Sequence, residues 1–143
     1  MSWKKLCVVA SFCSLLGGCG HLTKSSVPEA AMVTITASAD INPNRDGMAS
    51  PIVIKIFSLK DDSSFKDASF FALYGSSEAQ TVILLPGQST TVNIPNRTGV
   101  TTVGAMAAFK SLNNTSWKAE APLGQKLTLN VSATEINFVG EPS

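Results

Sequence analysis

The chain has 143 residues, which suits one domain with a sizeable core, and it carries 11 basic against 10 acidic side chains. Its net charge is +1, and it would be −1 without Lys4 and Lys5 of the N-terminal residues 1–18. A charge so close to zero argues against a nucleic-acid-binding surface and against a polybasic lipid-binding face.

The N-terminus is organised like a secretory signal. Its lysine pair precedes an apolar run, residues 6–16, that is too short to span a bilayer and is typical of a signal-peptide core. Residues 16–19, Leu-Gly-Gly-Cys, then resemble the lipobox of bacterial lipoproteins. The resemblance implies removal of residues 1–18 and lipidation of the Cys19 thiol, with two or three acyl chains giving a durable anchor. An ordinary signal peptide with Cys19 as a bystander is the alternative.

The remaining cysteines and the next segment fit the same interpretation. Cys7 and Cys13 would leave with the signal peptide, so the mature domain would hold no disulfide. Gly20 follows the lipobox cysteine directly. In lipoproteins of enterobacterial type an Asp at this position favours retention in the inner membrane, so a glycine there resembles the lipoproteins that go to the outer membrane. We predict a lipidated tether over residues 19–30, because residues 20–29 are polar and aperiodic; these ten residues reach roughly 30 Å when extended. His21, the only histidine, is expected to be a solvated tether residue rather than a metal ligand or base.

Residues 31–143 alternate apolar and polar side chains with period two, which is the pattern of half-buried strands. Seven or eight short strands are expected, separated by turn-forming clusters. The pattern places them at 33–40, 52–59, 81–85, 90–94, 103–109, 116–119, 127–131 and 136–138. This even spacing predicts a mainly β domain, a two-sheet antiparallel sandwich.

One helical insertion is expected between the second and third strands. Ser64 and Asp67 have the spacing of a capping box, and Phe65, Ala68, Phe71 and Ala72 share one helical face. Gly75 is a plausible C-terminal stop, which predicts a single helix of about ten residues.

No catalytic arrangement is recognisable in the domain. Cys–His and Ser–His–Asp sites need a histidine that it lacks, no Cys or His cluster could hold zinc, and possible Ser–Lys pairs show no recognised spacing. Residues 40–47 faintly resemble a calcium loop, but Pro43 and Arg45 interrupt it and no acidic residue follows at the required distance. We therefore predict no catalytic residue, metal or cofactor, and a binding or structural module instead.

Several segments together carry a resemblance to one family. They are residues 51–59 leading into Phe65, Ala68 and residues 70–74, then Leu85-Pro86-Gly87, residues 103–110 and Trp117-Lys118. In this order and spacing they resemble the TssJ (SciN-like) lipoproteins of type VI secretion systems, over about residues 19–139. The combination, rather than any single motif, makes the resemblance specific.

The resemblance implies a transthyretin-like sandwich without enzymatic activity. It implies an outer-membrane anchor with the domain facing the periplasm, and binding to the periplasmic C-terminal region of TssM, which assembles with TssL. The family's partner-binding loop matches Ile41–Ser50. The partner-binding residues expected in it are Asn42, Pro43, Asn44, Arg45, Asp46 and Gly47, with Arg45 as the best single anchor. A periplasmic inhibitor or carrier lipoprotein that binds a soluble enzyme or a small ligand is the alternative.

Overall fold

The computed structural model describes residues 31–141, so the predicted signal peptide, tether and lipidation site at Cys19 lie outside the described residues. Eight strands and two short helices follow one another along this part of the chain. The strands are β1 Ala31–Ala37, β2 Ile52–Leu59, β3 Gln80–Leu84, β4 Ser89–Ile94, β5 Thr102–Ala107, β6 Lys118–Pro122, β7 Lys126–Val131 and β8 Ile136–Glu141. The helices, α1 Ser63–Asp67 and α2 Phe70–Tyr74, lie between β2 and β3.

The strands form two four-stranded sheets that face each other, which confirms the predicted two-sheet sandwich. Sheet 1 has the order β4-β1-β7-β8, and sheet 2 has the order β3-β2-β5-β6. One pairing differs from the antiparallel expectation, because β1 and β7 run parallel with Val33 opposite Leu127. The remaining strand pairs are antiparallel.

The main core lies between the sheets and is built from the inward-facing residues of each strand. Val33 and Ile35 from β1 meet Ile54 and Ile56 from β2, and all four are at most 1% exposed. Strand β5 is buried on both faces, as its continuous apolar sequence predicts, because the helical insertion covers the outer face of sheet 2.

The helical insertion differs from the single ten-residue helix expected. Ala68 has an extended backbone (ψ 139°) and ends α1, and the Ser69 hydroxyl then accepts the Ala72 N–H over 3.2 Å as the N-cap of α2. The capping box expected from Ser64 and Asp67 does not form. Instead the Asp61 carboxylate accepts the Ser63 N–H over 2.9 Å just before α1.

A second, smaller core joins this insertion to sheet 2. Phe65 and Leu73 pack on Phe57 and Met106. The ring of Phe65 lies over Gly104, where an added Cβ would be only 2.8 Å from the ring. Glycine is therefore required on β5 for the insertion to lie this close to the sheet.

The two ends of the sandwich carry different parts of the chain. We call the end where β1 begins the N-terminal end, and the end where β1 finishes the loop end. The N-terminal end holds Ala31, the connections 95–101 and 123–125, and Glu141. The loop end holds the connections 38–51, 85–88, 108–117 and 132–135. Strands of six residues separate the ends by about 20 Å.

Candidate protein-binding site

The predicted partner-binding loop connects the two sheets at the loop end. Ile41 fixes its start, since this side chain is 0% exposed and belongs to the main core. The Ser50 N–H donates to the Ile41 carbonyl over 3.0 Å and closes the loop at its base. The segment between them therefore projects from a rigid frame.

Asn42 has a different position from the exposed contact residue expected from the sequence. Its side chain is only 3% exposed, and its backbone adopts φ 47° in the left-handed region that asparagine tolerates. Its Nδ2 donates to the Pro51 carbonyl over 2.9 Å, and its Oδ1 accepts the Lys110 N–H over 2.7 Å. Asn42 thus fixes the loop to the following strand and to the β5–β6 connection.

Asn44 shapes the outer part of the loop. Its side-chain Oδ1 accepts the N–H groups of Asp46 and Met48, each over 2.9 Å. Its backbone carbonyl accepts the Gly47 N–H over 3.0 Å, and its own N–H donates to the Met48 carbonyl over 2.8 Å. Gly47 has φ 78°, a conformation that glycine adopts without steric cost. These bonds hold residues 44–48 in one compact turn.

The remaining predicted residues are available to a partner. Pro43, Arg45, Asp46 and Gly47 are exposed. Met48 adds an apolar side chain that is 64% exposed beside them. Of the six predicted residues, Asn42 and Asn44 thus support the loop, whereas the other four form its accessible surface.

A second loop, which the sequence did not indicate, adjoins this surface. A surface depression at the loop end is lined by Pro43, Asn44, Arg45, Lys110 and Ser111. The last two belong to the β5–β6 connection, and Lys110 directly follows the strand predicted at 103–109. Because Asn42 and Lys110 are 68 residues apart, no local pattern could have indicated their contact.

Lys118 and Lys66 form a cluster of cationic side chains beside α1, and Lys118 binds the C-terminal end of that helix. The Lys118 ammonium donates to the carbonyls of Phe65, Lys66 and Ala68 over 2.8 to 2.9 Å, and burial lowers its pKa. These carbonyls lie at the C-terminal end of α1, where the helix leaves carbonyls without intrahelical partners, although the Phe65 carbonyl also accepts the Ala68 N–H over 3.3 Å. The Lys66 ammonium, whose pKa is raised by its bond to Asp62, also contacts Glu120 at 3.2 Å. We interpret this cluster as structural.

The described residues show neither a metal site nor a membrane-spanning helix. Within 31–141, no group of three or more His, Cys, Asp and Glu side chains is placed to hold a metal ion, including at the faint calcium pattern of residues 40–47. In the same part of the chain, no helix is both long and apolar enough to cross a membrane. The loop end is therefore the best candidate site in the described domain.

These features define a class of protein, a β-sandwich with two adjoining exposed loops at one end of its core, and such loops are common positions for binding sites. Residues 29–135 match the family model described as T6SS-SciN: Type VI secretion lipoprotein, VasD, EvfM, TssJ, VC_A0113. The chain therefore belongs to the TssJ family of type VI secretion lipoproteins, which confirms the family predicted from the sequence.

Solved structures share its fold. The T6SS lipoprotein TssJ1 from Pseudomonas aeruginosa is 22% identical with a TM-score of 0.73, over 81% of this chain and 99% of that chain. Serratia marcescens Lip, described as a membrane bound component of the Type VI Secretion System, is 18% identical with a TM-score of 0.68, over 78% and 98%. A chain of the structure described as "T6SS protein TssM C-terminal domain (869-1107) from EAEC" is 23% identical with a TM-score of 0.69, over 79% and 99%. No curated protein sequence matches.

Proposed function

We propose that this chain is a non-catalytic outer-membrane lipoprotein whose loop end binds the periplasmic C-terminal region of TssM. In this proposal residues 1–18 are the signal peptide, Cys19 carries the lipid, residues 19–30 form the tether, and residues 31–143 face the periplasm. The bound TssM brings TssL into the same complex, so the chain anchors the secretion machine to the outer membrane.

The observation that carries the proposal is that Ala31 and the loop of residues 41–50 lie at opposite ends of the sandwich. The described chain begins with Ala31 at the N-terminal end, which is where the proposed tether would join the sandwich. The loop of residues 41–50 lies at the other end, about 20 Å away along the strands. A partner that comes from the inner membrane would meet this loop at the end of the sandwich away from the point where the tether joins it.

A second observation that supports the proposal comes from the solved structure whose description names the TssM C-terminal domain. The range 869–1107 is longer than the 143 residues of this chain, yet 99% of the matched chain is covered. The matched chain is therefore shorter than that fragment and is close in size to the domain described here. A chain with this fold in a structure that is named for TssM favours TssM as the partner.

The contact surface we propose is narrower than the six residues expected from the sequence. Asn42 is buried and Asn44 is engaged within the turn, so both act by holding the loop. Pro43, Arg45 and Asp46 project outward and make the contacts. Arg45 is the central anchor, since arginine is enriched among residues that dominate binding energy at interfaces.

Calorimetric titration with the TssM periplasmic domain tests the proposal. The decisive variant replaces residues 43–47 with a Gly/Ser linker and keeps Asn42, so that the loop base stays in place. We expect binding to be lost while the far-ultraviolet circular dichroism and the unfolding midpoint show a folded domain. Arg45→Ala should weaken binding by about 1–2 kcal/mol, roughly 5- to 30-fold.

The chain contains a matched control for Arg45. Arg97 is also exposed and also follows an asparagine, but it lies in the 95–101 connection at the N-terminal end. Arg97→Ala should bind TssM like the wild type. Wild-type affinity in the folded loop-replacement variant would move the interface elsewhere on the sandwich. Co-purification of a soluble periplasmic enzyme, without TssM, would favour the inhibitor or carrier function instead.

A further inference from the structure

We propose that the partner is recognised by two loops acting together, and that the depression between them receives a carboxylate-bearing segment of the partner protein. This inference rests on the proposed function and specifies the chemistry of its binding site. It adds Lys110 of the β5–β6 connection to the interface and requires acidic residues on the partner.

The two loops behave as one surface because Asn42 joins them. The Lys110 N–H donates to the Asn42 Oδ1 over 2.7 Å, and the same asparagine reaches Pro51 through its Nδ2. The asparagine is 3% exposed, so water has little access to these bonds. The backbone of Lys110 is thus fixed relative to the β1–β2 loop, and both sides of the depression are held in place before a partner arrives.

The charge of the depression is positive. Arg45 and Lys110 are both exposed and both line it, and no acidic side chain does. Within residues 31–141, neither cation forms an ion pair, since the pairs found there use Lys66 and Lys126. The acidic groups of the loop end lie outside the lining. They are Asp40, which accepts the Ser38 hydroxyl, and the exposed Asp46 and Glu135.

This arrangement fits a carboxylate better than an apolar side chain. A guanidinium can bind both oxygens of a carboxylate at once, and a lysine ammonium from the second loop adds a further donor. Exposed cations without partners increase the rate of encounter with an acidic surface and discriminate against a basic one. We therefore expect acidic side chains where TssM meets this end of the domain.

The test compares Lys110→Ala with Lys60→Ala in titrations with the TssM periplasmic domain. Both lysines are exposed, but Lys60 lies at the N-terminal end and serves as the control. Lys110→Ala keeps the backbone N–H that bonds to Asn42, so its unfolding midpoint should match the wild type. We expect it to weaken binding about 3- to 10-fold and Lys110→Glu to weaken it further, whereas Lys60→Ala has no effect.

The salt dependence gives a second readout. Wild-type affinity should fall as the salt concentration rises, and the Arg45→Ala/Lys110→Ala double variant should show a weaker dependence. Wild-type affinity in Lys110→Ala, or equal losses in Lys110→Ala and Lys60→Ala, would overturn the two-loop carboxylate site. If the loop-replacement variant still loses binding in that case, the proposed function stands without this inference. Failure of the wild type to bind TssM would reject both.

Discussion

The Asn42 side chain accepts the backbone N–H of Lys110 over 2.7 Å across 68 residues of sequence, and this bond joins two loops at one end of the sandwich. The same amide donates to the Pro51 carbonyl, so both polar atoms of a buried side chain have partners. A residue in this position stabilises the fold rather than presenting itself to a partner.

Asn42→Ala should therefore destabilise the domain by about 1–3 kcal/mol, because the Lys110 N–H and the Pro51 carbonyl both lose a buried partner. Urea unfolding of the soluble domain measures the change. Asn42→Gly separates the cost of the lost side-chain hydrogen bonds from the cost of backbone strain. Glycine accepts φ 47° without strain but makes no side-chain hydrogen bonds. Both variants should be less stable than the wild type, with alanine the worse. Asp46→Ala, an exposed neighbour, should change stability by less than about 0.5 kcal/mol. A fully stable Asn42→Ala variant would contradict this structural role.

Lys118→Met should loosen the helical insertion. The substitution keeps an apolar side chain of similar length but removes the ammonium, which bonds to three carbonyls of the α1 end and lies over the rings of Phe65 and Trp117. Because hydrogen bonds to charged groups are stronger than neutral ones, we expect the free energy of unfolding to fall by about 1.5–3 kcal/mol. Tryptophan fluorescence during urea unfolding reports it, because Trp117 contacts Phe70 of the insertion with ring centroids 5.3 Å apart.

The control for this variant is Lys126→Met. Lys126 is an exposed lysine whose carboxylate contact, with Glu141, is 3.6 Å long, so its loss should cost little. Equal stability of the Lys118 and Lys126 variants would show that the three carbonyl bonds add nothing to the fold.

The sequence was sufficient for most strands because their side chains alternate with period two and one face is buried. Strand β5 is buried on both faces, and its continuous apolar sequence indicates this. The same alternation cannot distinguish parallel from antiparallel neighbours, so the β1–β7 pairing was not predictable. The break at Ala68 was also hidden, since alanine favours helices and the interruption depends on how Phe65 and Leu73 reach the same sheet. At the candidate site, the turn-forming residues predict the loop. The burial of Asn42 and its bond to Lys110 were not predictable, because they depend on contacts between segments that are distant in sequence.

The pH dependence of stability should include a contribution from Asp61. The Ser63 N–H and hydroxyl donate to its carboxylate over 2.9 and 2.8 Å, and these bonds hold the pKa of Asp61 below its ordinary value. A lowered pKa in the folded state means that the unfolded chain binds the proton more readily. The contribution is therefore present above about pH 3.9 and is lost as the pH falls through the folded-state pKa.

Thermal unfolding of the wild type and Asp61→Ala from pH 7 to pH 3 measures this contribution. The wild type should be more stable near neutral pH, and the difference should shrink as the carboxylate is protonated. Asp61→Asn is the matched control, since it keeps an acceptor for the Ser63 N–H without a titrating group. The gap between the Asn and Ala variants should stay constant over this range. A wild-type advantage that persists unchanged at pH 3 would contradict the assignment.

Cys19→Ala tests the anchor separately from the domain. The lipobox-like segment of residues 16–19 predicts that the thiol carries the lipid, while the first described strand begins at Ala31, so we expect anchoring and folding to be independent. We expect loss of palmitate labelling, unprocessed or mislocalised protein, and loss of secretion. The soluble domain prepared without residues 1–19 should still show the circular dichroism of a β protein and bind TssM like the lipidated chain. Palmitate labelling that survives the substitution would reject Cys19 as the acylated residue, and a soluble domain that fails to fold would show that the N-terminal segment belongs to the core.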